Sequence, residues 1–186
     1  MLPDPGGRSP APEPLRMVQA FVNTLDIENA HEELVAPDDV RDLLVRIGAL
    51  AGDAAPLGDA DVRQALDVRE ALRSLLLENN GGTRDPEAHA TLERAARAAH
   101  LSLRFAPDDR LALAPSASGL DGALGRVLAV AYTTMAAGTW PRLKACRREV
   151  CFWVFYDRSK NLSSKWCAMS VCGNRTKKAR ASGRRS

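Results

Sequence analysis

Residues 144–180 read KACRREVCFWVFYDRSKNLSSKWCAMSVCGNRTKKAR. All the cysteines of the chain stand in this stretch, as Cys146, Cys151, Cys167 and Cys172, spaced C-x4-C-x15-C-x4-C. Two close pairs separated by a hairpin-length segment can offer four sulfurs to one tetrahedral ion. Zinc suits four thiolates, because it is borderline-soft and has no redox chemistry of its own. Neither pair has the tighter C-x2-C spacing common in iron–sulfur proteins. Paired disulfides would suit a secreted miniprotein. The opening MLPDPGGRSPAPEP has no apolar run of the kind an export signal needs, so a reducing cytoplasm is the expected compartment. A site closed by four sulfurs leaves no coordination position for water or substrate. One structural Zn2+ per chain is therefore expected, with folding as its work. The surrounding module has few aliphatic residues, and zinc binding worth about 10–16 kcal/mol would supply what its core lacks.

Charge divides the chain at the same place. Residues 142–186 carry 13 Lys and Arg against 2 Asp and Glu, a balance of +11, whereas residues 1–141 carry 13 against 21, or −8. The overall +3 conceals both. A basic segment beside an acidic body points to an anionic partner, most often nucleic acid. Between the cysteine pairs, Phe152 to Tyr156 form a strand-like run of rings expected to pack beside the metal. Asp157 to Asn161 follow as a turn carrying Arg158 and Lys160, and Lys165 precedes the second pair. Residues 173–180 are expected to continue as a helix whose start is pinned by Cys167 and Cys172. Arg175 and Lys178 would then share one face and Lys177 and Arg180 another, a basic surface for a duplex groove. Asn174 is expected to sit buried, stapling the knuckle, and residues 182–186 read as a flexible basic tail.

This stretch resembles the CGNR zinc finger, named for the tetrapeptide that here is Cys172-Gly173-Asn174-Arg175. Both cysteine pairs, F-Y-D-R-S, W-C and C-G-N-R all occur in order. Upstream, FVNTLD (Phe21 to Asp26) and VREALRSLL from Val68 resemble the ABATE domain that precedes such fingers. The resemblance implies a bacterial, stress-induced transcription regulator whose finger binds DNA.

Read from its residues alone, the N-terminal part is mainly helical. Leu15, Val18, Val22 and Leu25 set a first helical stripe. A second helix runs from Pro37, with Asp38 and Asp39 at its positive end, to a stop at Gly48. A third spans Asp59 to Glu78 and closes at Asn79-Asn80-Gly81-Gly82, and an alanine-rich fourth starts at Asp85-Pro86. The period then shortens. Leu101, Leu103 and Phe105 alternate with polar residues, and Leu111 and Leu113 follow a turn, predicting a hairpin. Leu120, Ala123, Leu124, Val127, Leu128 and Ala131 restore helical spacing before Gly138-Thr139-Trp140-Pro141 breaks the chain. The fold class is thus mainly α with a short β-hairpin (α+β), followed by a small β-hairpin/helix zinc finger. The organisation is a disordered leader at 1–14, a helical domain at 15–140, the finger at 141–181 and a tail at 182–186.

Arg69 interrupts an apolar stripe on the third helix. A buried arginine needs a partner, and Asn23 and Asp26 are the candidates. Either they form a structural ion pair, or they line a pocket for a small anionic effector. Enzyme signatures are missing: His31, His89 and His100 are scattered, and the cysteines are committed to metal. The expected function is a DNA-binding regulator, with an RNA-binding protein and a protein–protein adaptor as alternatives. Homodimerisation through Val130 and Tyr132 is expected, because one small module reads too few base pairs to select an operator. No apolar run is long enough to span a membrane.

Overall fold

Five α-helices account for most of the regular structure. They are α1 (Leu15–Val22), α2 (Pro37–Arg46), α3 (Asp59–Glu78), α4 (Pro86–Ala98) and α5 (Gly119–Ala136). Short antiparallel pairs sit between and after them: β1 (Leu25–Asp26) with β2 (His31–Glu32), β3 (Ser102–Phe105) with β4 (Leu111–Ala114), and β5 (Leu143–Ala145) with β6 (Val154–Tyr156). This computed structural model describes residues 10–105 and 111–176. The mainly helical domain with small hairpins matches the expected class, including the boundaries of α3.

Carboxylates fix the starts of α2, α3 and α4. Asp39 Oδ2 accepts from the Val35 and Ala36 amides ahead of α2, at 3.1 and 2.8 Å, and Asp61 Oδ2 accepts from Gly58 N at 2.7 Å ahead of α3. Asp85 Oδ1 takes the Glu87 and Ala88 amides at the start of α4. Each satisfies donors that have no partner inside the helix and places negative charge at its positive end. Gly48 ends α2 with φ +74°, a left-handed turn that suits glycine.

The larger of two apolar clusters among the described residues is the core of the helices. Leu15, Val18, Phe21 and Val22 of α1 meet Val40, Leu43 and Leu44 of α2. Leu72 and Leu76 of α3 and Leu124 and Val127 of α5 complete the centre. The same cluster continues into the cysteine-bearing segment through Trp140, Leu143, Ala145 and Val154. The hairpin β5–β6 therefore packs on α3 and α1 across the break at residues 138–141. Two electrostatic bodies share one hydrophobic core.

Two local expectations change. The first helix ends at Val22, and the following residues turn into the β1–β2 hairpin. The β3–β4 hairpin forms, but its alternating leucines and phenylalanine do not face inward. Leu103, Phe105 and Leu111 are 60%, 79% and 57% exposed, with Phe105 opposite Leu111 and Leu103 opposite Leu113. Alternation specifies which side chains share a face, and β4 lying along α5 leaves this face outward.

Candidate metal centre and basic groove

β5 delivers Cys146 at its end, where the Cys146 amide donates to Trp153 O at 3.0 Å, and a tight turn returns Cys151, whose amide donates to Arg148 O at 2.8 Å. The second pair comes from Cys167 and from the wide helical turn Met169–Gly173, in which Cys172 N donates to Ala168 O at 2.9 Å. The four cysteines are buried and their sulfurs lie within 4.8 Å of one another. Cys151 and Cys167 sulfurs are 3.7 Å apart, and Cys167 and Cys172 sulfurs 3.6 Å. Those separations far exceed the about 2.05 Å of a disulfide. They match the edge of a tetrahedron with zinc–sulfur bonds of about 2.3 Å, roughly 3.8 Å. The donor set fits one structural zinc. Crowding without the cation disfavours ionisation. The adjacent Cys151 thiol, with burial, pushes the Cys146 thiol up to about 12. Contact with Cys146 lowers Cys151, but Cys167 and burial outweigh it and push that thiol up to about 12 as well.

Rings and one buried ion pair complete the module. Phe155, Trp153 and Trp166 pack around the sulfurs, whereas Val154 and Tyr156 turn to the helical core. Alternation along β6 thus gives one side to the metal and the other to the large domain. Asp157, 1% exposed, accepts from Lys144 Nζ at 2.8 Å, from Ser159 N at 2.9 Å and from Ser164 N at 3.0 Å. Burial alone would raise its carboxyl; the ammonium and the amides hold it well below the usual range. A Cβ at Gly173 would displace the exposed Met169 thioether and stand 3.2 Å from the Trp166 ring.

The large domain holds the finger mainly by its backbone. Asn23 is bidentate on Val154, donating to its carbonyl at 2.9 Å and accepting from its amide at 2.8 Å. Gln19 donates to the same carbonyl at 3.1 Å. Asn79 donates to Trp140 O and Leu143 O, Asn80 to Ala145 O and Lys165 O, and Arg73 to Phe152 O. The asparagines that read as a helix breaker are also staples.

Arg69 is buried, but its partner is Glu32 at 2.6 Å, with Glu70 at 2.8 Å and Thr24 Oγ1 at 3.2 Å. Glu70 also bridges to the buried Arg73 at 2.9 Å. Burial opposes ionisation of Glu32, and hydrogen bonds from Arg69 and the Leu34 amide outweigh it, leaving its pKa lowered. Asp26 instead accepts from Asn29, through the amide at 3.1 Å and the side chain at 2.8 Å. The turn into β2 carries Glu32 onto α3 and leaves Asp26 outward. Asn23, Asp26 and Arg69 therefore do not converge: one grips β6, one shapes a turn and one joins Glu32.

Of the expected nucleic-acid contacts, Arg158, Lys160, Lys165 and Arg175 are exposed, and Arg158 donates to Pro10 O at 3.1 Å. Lys177, Lys178 and Arg180 lie outside the described residues. Asn174 is exposed rather than buried and donates weakly to Ser170 O at 3.3 Å, because the wide turn carries it outward. Arg175 lines an open groove of about 410 Å³ with Arg147, Arg148, Glu149, Val150, Trp166 and Thr176, three guanidinium groups against one carboxylate. Arg147 and Arg148 were not among the expected contacts. Their signal is position, since both lie in sequence between the metal ligands Cys146 and Cys151. Glu28, in the β1–β2 turn, reaches this cluster. Its Oε1 is 2.9 Å from Arg148 Nη1 and pairs with Arg175. The Arg148 guanidinium beside it, against some desolvation, lowers the Glu28 pKa.

Among the described residues no helix is long and apolar enough to cross a membrane. No curated protein matches the chain. Residues 142–185, which hold the four-sulfur centre, match the CGNR zinc finger. Residues 15–139, the helical body that grips it, match ABATE, described as "Putative stress-induced transcription regulator". With two thirds of its length in that match and the finger's sulfurs gathered for one ion, the chain belongs to the ABATE family and ends in a CGNR zinc finger.

Proposed function

We propose that this protein is a cytoplasmic, non-enzymatic transcription regulator that binds duplex DNA through its zinc finger. The supporting observation is the groove rimmed by Arg147, Arg148 and Arg175 beside Trp166, built on a metal-fixed frame in the segment carrying the +11 excess. Guanidinium groups in such a setting pair with phosphates, and one of them can read a base edge. A homodimer presenting two fingers to two half-sites would supply the sequence length that one finger lacks. Tyr132 and Met135, 53% and 43% exposed on α5, are available for that contact, while Val130 packs against the core.

Control by a small anion at Arg69 is less favoured, because carboxylates of the same chain already surround that guanidinium. Binding of the zinc-loaded protein to duplex DNA, structured RNA and single strands in one titration tests the reading. Duplex DNA is expected to bind best. If each finger neutralises about four phosphates, log K should fall against log salt with a slope near −3.6 per finger. Replacing Lys177 and Lys178 with Ala should weaken binding to every sequence and make the slope shallower. A salt-insensitive interaction, or a preference for RNA, would overturn the proposal.

A further inference from the structure

Glu28 projects from the acidic domain into the basic one. The turn that carries it, between β1 and β2, is set by Asp26 capping Asn29. Its carboxylate pairs with Arg148 and Arg175, which belong to the groove just described and come from opposite ends of the finger sequence. The fit to Arg148 is incomplete. Arg148 Nη1 is buried and 2.9 Å from Glu28 Oε1, yet no hydrogen-bond acceptor is aligned with it. One carboxylate thus stands where two guanidinium groups converge, a place that a backbone phosphodiester, also monoanionic but with two non-bridging oxygens free to take one guanidinium each, can occupy instead.

We infer that Arg148 and Arg175 form a phosphate-binding subsite for the nucleic-acid backbone, and that Glu28 occupies it in the free protein as a built-in competitor. The inference rests on the DNA-binding reading above and adds its regulation. A backbone phosphate enters only as Glu28 withdraws, so DNA binding loosens the β1–β2 turn from the finger. Conversely, anything that holds that turn in place weakens DNA binding by the same factor, as linkage requires.

The test compares zinc-loaded wild type, Glu28→Gln, Glu28→Ala and Glu33→Gln on one duplex at several salt concentrations. Glu33→Gln removes the same charge from a residue that pairs with Arg46, away from the groove. Both Glu28 variants should bind about fivefold tighter at low salt, the scale set by losing one partly exposed ion pair. Their salt slopes should be steeper than that of the wild type, and Glu33→Gln should stay near the wild type. Equal affinities for Glu28→Gln, Glu33→Gln and wild type, all binding duplex DNA, would overturn the competitor role and leave the DNA-binding reading intact. No DNA binding by any of the four would overturn that reading and this inference with it.

Discussion

Asp157 sits in a chain position that reads as a turn residue, yet it organises the finger. Its carboxylate is buried against the Lys144 ammonium and two amides, so Asp157→Asn leaves an unpaired buried cation. A loss of about 3–5 kcal/mol is expected, measured by denaturant unfolding of the zinc-loaded protein. The pH dependence has a definite sign. The folded-state pKa of Asp157 is depressed, so its contribution is fully present above the unfolded value of about 3.9 and is lost as pH falls below it. The stability gap between wild type and Asp157→Asn should stay constant from pH 8 to 5 and narrow in stronger acid. Arg69→Ala tests the second buried network. Glu32 is 29% exposed and rehydrates in part, so a cost of about 2–3 kcal/mol is expected, read as a lowered melting temperature. A melt that overlays the wild type would exclude the structural role. Arg69 was legible as a buried charge because it broke an apolar period; its partner was not. Glu32 reaches it through a two-residue strand pair, too short to leave a hydrophobic pattern.

At the scale of elements, the long periodic helices were legible and the places where they meet the finger were not. α3 and α5 each carry several apolar residues at helical spacing, and burial follows that stripe. Asn23, Asn79 and Asn80 fall at helix ends, where asparagine has an ordinary local explanation, and their targets lie far away in sequence. The cysteine spacing was legible because four thiolates around one ion constrain spacing directly. Arg147 and Arg148 escaped notice for the opposite reason: arginine at a surface turn has no distinctive spacing. Asn23→Ala removes both hydrogen bonds to Val154 and leaves its buried amide without this acceptor, while its carbonyl keeps Gln19. It should cost about 2–3 kcal/mol and speed hydrogen exchange at the Val154 amide. Unchanged exchange there would mean that apolar packing alone docks β6.

Across the whole molecule, the shared core joins metal binding to the stability of the helices. Removing zinc, or replacing Cys172 with Ser, should release the Cys146–Cys172 cluster and with it the buried positions of Leu143, Ala145 and Val154. One cooperative melting transition at a lower temperature is expected for the metal-free chain, followed by circular dichroism at a helix-sensitive wavelength. Two separate transitions, the helical one unmoved, would show that the core tolerates loss of the finger. The hydrogen bonds from Asn23, Gln19, Arg73, Asn79 and Asn80 go to main-chain atoms of the finger segment, whereas Glu28 pairs with its side chains. The grip therefore asks of the finger a backbone path and a few apolar side chains, Leu143, Ala145 and Val154 among them. Any finger that keeps these can be seated without redesign of the helical body, so recognition residues are free to diverge while the dock stays put. Chimeras that exchange fingers within the family should fold, and each should need its own acid at position 28 to match the arginines it brings.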